Sequence, residues 1–199
     1  DACLVGSEMC IRDSFKKNVG INKHNGLYES DIRPLNKTLA DNYTNCQAPK
    51  LQTAFIDIEA DFDPGRGYSS PQDPYSIITA IGIYLDWMET MICLAVPPKR
   101  ISFEQANEMT KDMPEVILYK TEKEMLDAFL TLIDDADIIS GWNSEGYDIP
   151  YIVNRITRVM GKAETRRLCL MKKLPKERKF EQYGREVVSY DLVGRVHLD

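Results

Sequence analysis

No stretch of these 199 residues approaches the roughly 20 consecutive apolar residues that a membrane-spanning helix needs. No charged-then-apolar signal peptide is visible at the start. Cysteine is sparse and poorly spaced for a metal. Cys3, Cys10, Cys46, Cys93 and Cys169 are odd in number and never form C-x-x-C. That argues against a zinc site or a disulfide framework and suits a reducing cytoplasm. A basic excess is lacking too. The formal net charge is −6, so bulk charge does not advertise a nucleic-acid partner. Internal repeats are absent. With 43% hydrophobic residues, the chain has enough apolar material for one domain with a real core plus an extra segment.

The charge that is present is unevenly placed. Lys162, Arg166, Arg167, Lys172, Lys173, Lys176, Arg178 and Lys179 crowd one segment against only Glu164 and Glu177. This is either a solvated helix end and loop or a local phosphate-facing patch.

Along the chain, Asp1–Ser14 has neither helical nor strand periodicity and resembles translated adapter sequence, so it is read as foreign to the natural protein. Phe15–Lys50 is polar, holds a helical candidate near Leu35–Tyr43 and ends in a linker at Cys46–Pro49. The ordered domain is expected from Leu51. Thr53–Glu59 reads as a strand, Asp61–Pro74 as a loop, and Ile77–Tyr84 with Thr90–Val96 as a hairpin turning at Asp86–Glu89. Thr121–Glu124 is a capping box opening a helix with Met125, Leu126, Phe129, Leu130 and Ile133 on one face. Asp137–Ser140 is a short buried strand, and a helix follows Asp148 with Tyr151, Ile152, Ile156 and Val159 at helical spacing. Glu186–Tyr190 and Val193–Leu198 look like strands. The order β-β-β-α-β-α-β predicts a mixed α/β sheet.

Asp57 and Glu59 lie two apart on the first strand, so both carboxylates point to one face and Ile58 to the other. Adjacent carboxylates repel unless a cation sits between them, and Mg²⁺ or Mn²⁺ suits carboxylate oxygen. A lone D-x-E is common on solvated strand ends; Phe55, Ile56 and Ile58 are expected to make this strand largely buried and the pair more than that. The second element is Ser140–Tyr151, in which Gly141 and Gly146 allow a tight loop and Pro150 suits a first helical turn. Asp148 sits at the helix start. It is read as an N-cap worth about 1 kcal/mol, as a well-fixed metal ligand, or as both. Asn143 either hydrogen-bonds a nucleotide or orders the loop. Trp142 is assigned to the core rather than to a stacking platform.

Phe55-Ile56-Asp57-Ile58-Glu59 resembles the first exonuclease motif of DNA polymerases, D-x-E. Asn143-Ser144-Glu145-Gly146-Tyr147-Asp148 matches the second, N-x(2–3)-[FY]-D. Gly141 to Tyr151 is similar to the form found in family B polymerases of tailed phages. The likeness runs from about Leu51 to the end and more weakly back to about Asn22. It implies an RNase H-like fold and the 3′→5′ proofreading exonuclease domain of a replicative DNA polymerase, with residues 15–50 the remnant of an N-terminal domain and linker. It further implies hydrolysis of the primer 3′-terminal phosphodiester with two Mg²⁺ or Mn²⁺ ions, about 4 Å apart. Asp57 would bridge both ions, Glu59 would hold one and Asp148 would anchor the other. Single-stranded 3′ ends need aromatic partners: Tyr68 matches the position of a family aromatic, and Tyr147 belongs to the motif, though both also suit ordinary packing. Leu174–Val188, turning near Tyr183-Gly184-Arg185, resembles the hairpin that helps move the primer end, with Lys176, Arg178, Lys179 and Arg185 as backbone contacts. Primer-template DNA and a sliding clamp are the implied partners, and the host cytoplasm the implied place.

One departure qualifies this. The family's third motif, Y-x(3)-D or H-x(4)-D, is absent downstream of Asp148, and His197 is two residues from the end. The chain is therefore expected to be a fragment ending before that motif, carrying three of four carboxylates, binding metal weakly and cleaving little on its own. The alternatives are a stand-alone RNase H-like nuclease and a non-catalytic domain that keeps the fold only to hold DNA.

Overall fold

Strand β1, Thr53–Ala60, forms where apolar and polar residues alternate. Ala54, Ile56 and Ile58 are buried while Phe55, Asp57 and Glu59 face outward. The computed structural model describes residues 34–182 and 184–199. The chain divides into two units, Asp1–Pro49 and Lys50–Asp199. In the first, Pro34–Tyr43 is a helix (α1) with a Lys37–Asp41 ion pair at 3.0 Å. The Asp1–Ser14 segment lies outside the described residues.

In the second unit β1 pairs antiparallel with β2 (Ile78–Leu85), and β2 with β3 (Thr90–Ala95). The hairpin therefore forms as its alternation predicts. Two elements escape the pattern. Helix α2, Phe103–Met109, is opened by a Ser102/Gln105 capping box, the same S-x-x-Q signal that marks helix starts elsewhere. Strand β4, Val116–Leu118, is too short to show a period and pairs parallel with β3. Helix α3, Glu122–Leu132, carries the expected Thr121/Glu124 capping box. Strand β5, Ile138–Ser140, lies parallel to β1, and helix α4, Asp148–Val159, follows it. A 3₁₀ helix, Lys162–Leu168, leads to the antiparallel hairpin β6 (Lys176–Gln182) and β7 (Arg185–Asp191). The last strand, β8, is only Val196–Leu198, because Leu192–Arg195 is spent on a turn with Gly194 at φ 87°.

The central sheet has the order β4-β3-β2-β1-β5-β8. It is a mixed α/β domain with flanking helices, as the element order predicts. Ile56, Ile58, Ile81 and Ile83 from the sheet share one core with Met125, Leu126 and Phe129 of α3 and Ile149, Ile152 and Ile156 of α4. Two buried cations organise what surrounds it. Arg195 donates to the carbonyls of Ile133, Asp134, Ala136 and Leu168 at 2.6–3.1 Å. It thereby satisfies carbonyls left open at the end of α3 and anchors β8 beside β5. Arg155 of α4 is paired with Glu122 of α3, both almost fully buried, and also donates to Pro74 O at 2.8 Å.

Helix α4 also straps down the loop between β1 and β2. The Tyr151 hydroxyl donates to Ser76 O at 2.9 Å and so accepts from Ser69 Oγ, since it has one proton. Asn154 Nδ2 donates to Pro71 O at 2.7 Å, and Arg158 to Pro74 O at 2.8 Å and Asp73 Oδ1 at 3.0 Å. No described helix is long and apolar enough to cross a membrane. Among the described cysteines Cys46, Cys93 and Cys169 are free thiols.

Candidate active site at the carboxyl edge of the sheet

Asp57 and Glu59 share the outward face of β1, as their spacing requires. Phe55 does too and is 46% exposed, so it does not bury the strand. Their cross-strand partners on β2 are small: Gly82 opposite Asp57 and Ala80 opposite Glu59. The face around the two carboxylates is therefore shallow and open. Sequence reasoning missed this floor, although small residues at alternate positions of a strand are a readable signal. Beyond Glu59 a cleft of about 450 Å³ opens, lined by Phe62, Tyr68, Pro97, Pro98 and Arg100.

The third carboxylate arrives because β5 is short. It accompanies β1 only from Thr53 to Phe55, which leaves the next part of that β1 edge without a strand partner. Gly141 then passes so close to β1 that a Cβ there would stand 2.5 Å from Ile56 O. Only glycine permits that approach. The chain loops through Asn143, at φ 52°, and α4 begins. Asp148 is its first residue rather than its N-cap; the N-cap position is Tyr147, which makes no side-chain cap bond. The Asp148 carboxylate instead accepts from Ile58 N–H of β1 at 3.0 Å.

Asp148 is 4% exposed. Its pKa is pushed up to about 6, chiefly by burial and further by the nearby charges of Asp57 and Asp199, with the Ile58 N–H opposing the rise. Tyr147 is also raised, by burial and then by Asp148 and Glu59. The two motifs thus face each other electrostatically. Among the described residues none of Asp57, Glu59 or Asp148 enters an ion pair. Three oxygen-donor groups without a basic counter-charge suit a hard divalent cation in their chemistry. Their spacing is looser: among the described residues no group of three His, Cys, Asp or Glu stands close enough to hold one ion as it is. Exposed Asp57 and Glu59 have room to close on a cation; Asp148 is held.

The raised Asp148 pKa has a definite sign. An unfolded aspartate gives up its proton near pH 3.9, so between about pH 4 and 6 the folded state holds a proton that the unfolded state has lost. This group's contribution to stability therefore declines as pH rises through that window. We expect the wild-type protein to lose on the order of 2 kcal/mol relative to Asp148→Asn between pH 4.5 and 6.5, allowing for solvent access to the site. Urea unfolding of both at the two pH values checks this; parallel pH dependence would contradict it.

The remaining candidates are distributed as follows. Tyr68 is 81% exposed, its ring 4.9 Å from that of Phe62, at the mouth of the cleft. Tyr147 is half-buried with its ring 5.6 Å from Tyr151. Asn143 is exposed on its loop. Trp142 is not in the core: it is 93% exposed, carried on the loop between Gly141, which passes close to β1, and Asn143, whose φ is positive. The basic stretch is less free than its composition suggests. Arg167 pairs with Asp127, Lys172 with Asp134, and Lys179 with Glu186 at 3.1 Å. Arg178 bonds Glu145 of the second motif and Asp191. Lys176 is exposed on β6, and Arg185 opens β7 after the turn, its side chain outside the described part.

A mixed sheet carrying paired carboxylates on its central strand, with flanking helices, is the frame of an RNase H-like exonuclease domain. The comparisons agree: the model for "DNA polymerase family B, exonuclease domain" matches residues 12–199. The chain belongs to that family. It is 27% identical over 101 residues to the DNA-directed DNA polymerase of Enterobacteria phage T4, and 29% over 96 residues to that of Escherichia phage RB69. It is 30% identical over 95 residues to a DNA polymerase of Pyrococcus glycovorans. These segments cover 48%, 45% and 44% of this chain and 11% of each relative.

Proposed function

We propose that this domain removes nucleotides from the 3′ end of DNA as the proofreading exonuclease of a replicative polymerase. The observation that carries this is the convergence of the two motifs. A buried Asp148, held by Ile58 N–H, feels the charge of Asp57 across one sheet edge that has no cationic partner. Asp57, Glu59 and Asp148 would hold divalent ions, which when bound activate the attacking water and neutralise charge on the leaving 3′-oxygen. The exposed rings of Tyr68 and Trp142 offer stacking faces to unpaired bases, and Asn143 and Tyr147 of the second motif are further contacts for the strand. The cleft beside Glu59 has room for a base. Lys176, Arg178, Lys179 and Arg185 on the hairpin meet the DNA backbone, with Arg178 and Lys179 first having to leave Glu145, Asp191 and Glu186.

The loose spacing of the three carboxylates favours one other reading, a fold that holds DNA without cutting it. Incubating the full-length protein with a 5′-labelled single-stranded oligonucleotide and Mg²⁺ separates the two. A ladder of products shortened from the 3′ end is expected. Binding without shortening would establish the holding role instead.

A further inference from the structure

Ser144 lies in the middle of the loop that ends in Asp148, is fully buried, and has three polar neighbours for one hydroxyl. Its Oγ is 3.1 Å from Gly141 O, 2.7 Å from His197 Nε2 and 3.3 Å from Asp199 Oδ1. The hydroxyl has one proton to give and lone pairs to accept with, so the Ser144–His197 bond joins the loop to β8 in either tautomer of the imidazole. Burial pushes the His197 pKa down, against the opposing charge of Asp199. Asp199 Oδ1 also accepts the backbone N–H of Glu145 at 3.1 Å. The same Ser144 sends its carbonyl forward to Ile149 N–H at 2.9 Å, in the first turn of α4. His197 and Asp199 reach this loop because β8 runs parallel to β5, with Leu198 opposite Ser140.

We infer that His197 and Asp199 are positioning residues that fasten Ser144 and Glu145 and thereby set the Asp148 carboxylate against Ile58. The connection is continuous: β8 to the loop, the loop to the start of α4, and Asp148 to the β1 edge. What matters in Asp199 is its acceptor oxygen. A metal-ligand role would need its charge, and the two are separable by a single substitution.

The inference rests on the reading of Asp148 as a site residue, but its primary test does not need activity. Amide hydrogen exchange of the 199-residue protein, read by NMR, reports Ile58 directly, because its N–H is covered by Asp148. Asp199→Ala is expected to speed Ile58 exchange by about tenfold or more, with the β2–β3 ladder unchanged. Asp199→Asn, which keeps an acceptor oxygen, is expected to stay near wild type. Should Asp199→Ala fail to fold, Ser144→Ala takes its place with the same expected rise. Unchanged Ile58 exchange overturns the inference, and so does an Asp199→Asn variant as perturbed as Asp199→Ala. In the full-length protein, Asp199→Ala should lower kcat for 3′-nucleotide removal by about tenfold to a hundredfold with KM nearly constant, and Asp199→Asn should restore it. If the wild type removes no nucleotide, the proposed function fails while the exchange result still decides this point.

Discussion

Asp57→Ala is expected to reduce Mg²⁺-dependent 3′-end removal by the full-length protein by at least about a thousandfold, equivalent to roughly 4 kcal/mol of transition-state stabilisation. The effect should be confined to chemistry. Asp57 is exposed, opposite Gly82, so its removal leaves no cavity. Binding of single-stranded DNA should change little, since the ring faces of Tyr68 and Trp142 remain. Stability should move the other way. Asp57 is one of the charges that push the Asp148 pKa up, so its loss relieves a repulsion in the metal-free domain above about pH 6. A variant that loses cleavage while becoming slightly more stable is the signature of a residue kept for function. Oligonucleotide trimming, DNA binding and urea unfolding on one preparation read all three. Trimming within tenfold of wild type would remove Asp57 from the catalytic centre.

The largest stability effect is expected at Glu122→Ala. Glu122 Oε1 accepts from Ile78 N–H at 2.8 Å and from Arg155 Nε at 2.8 Å, and its second oxygen takes Arg155 Nη2. Truncation leaves a buried guanidinium without its counter-ion, and breaking such a pair costs about 3–5 kcal/mol. For a unit of this size that corresponds to a fall in Tm of about 10 °C. Glu122→Gln should be milder, because it can still accept from Ile78. Calorimetry distinguishes the two; a Tm change within two degrees for Glu122→Ala, roughly the effect of a surface substitution, would refute the buried-pair account. The damage should not stay local. Arg155 also holds Pro74, and its helix holds Ser69, Pro71 and Asp73, so the loop bearing Tyr68 should loosen with it.

What the sequence made legible was whatever depends on near neighbours. The strand face of Asp57 and Glu59, the Thr121 capping box and the β2–β3 hairpin all follow from residues a few positions apart, whereas the β6–β7 hairpin was expected from the family resemblance. The contacts that turn motifs into a site span far more of the chain. Asp148 meets Ile58 across 90 positions, and Glu145 meets Asp199 across 54. No periodicity encodes such meetings. The Arg178–Glu145 ion pair was hidden for the same reason, since its partners lie 33 positions apart. Trp142 misled differently: tryptophan composition favours burial, but the loop between Gly141 and Asn143 carries it in solvent. The Ser102 capping box was legible in principle and lay outside the elements that the pattern suggested.

The placement of Trp142 also gives the protein an optical handle. The chain has two tryptophans, and Trp87 is packed partly against the core while Trp142 stands in solvent. Their emission should therefore separate, with Trp87 blue-shifted and Trp142 red-shifted. Any ring system arriving over the second motif will quench the red component first. If the proposed function holds, quenching of this component on addition of a single-stranded oligonucleotide is the expected result, read without a label.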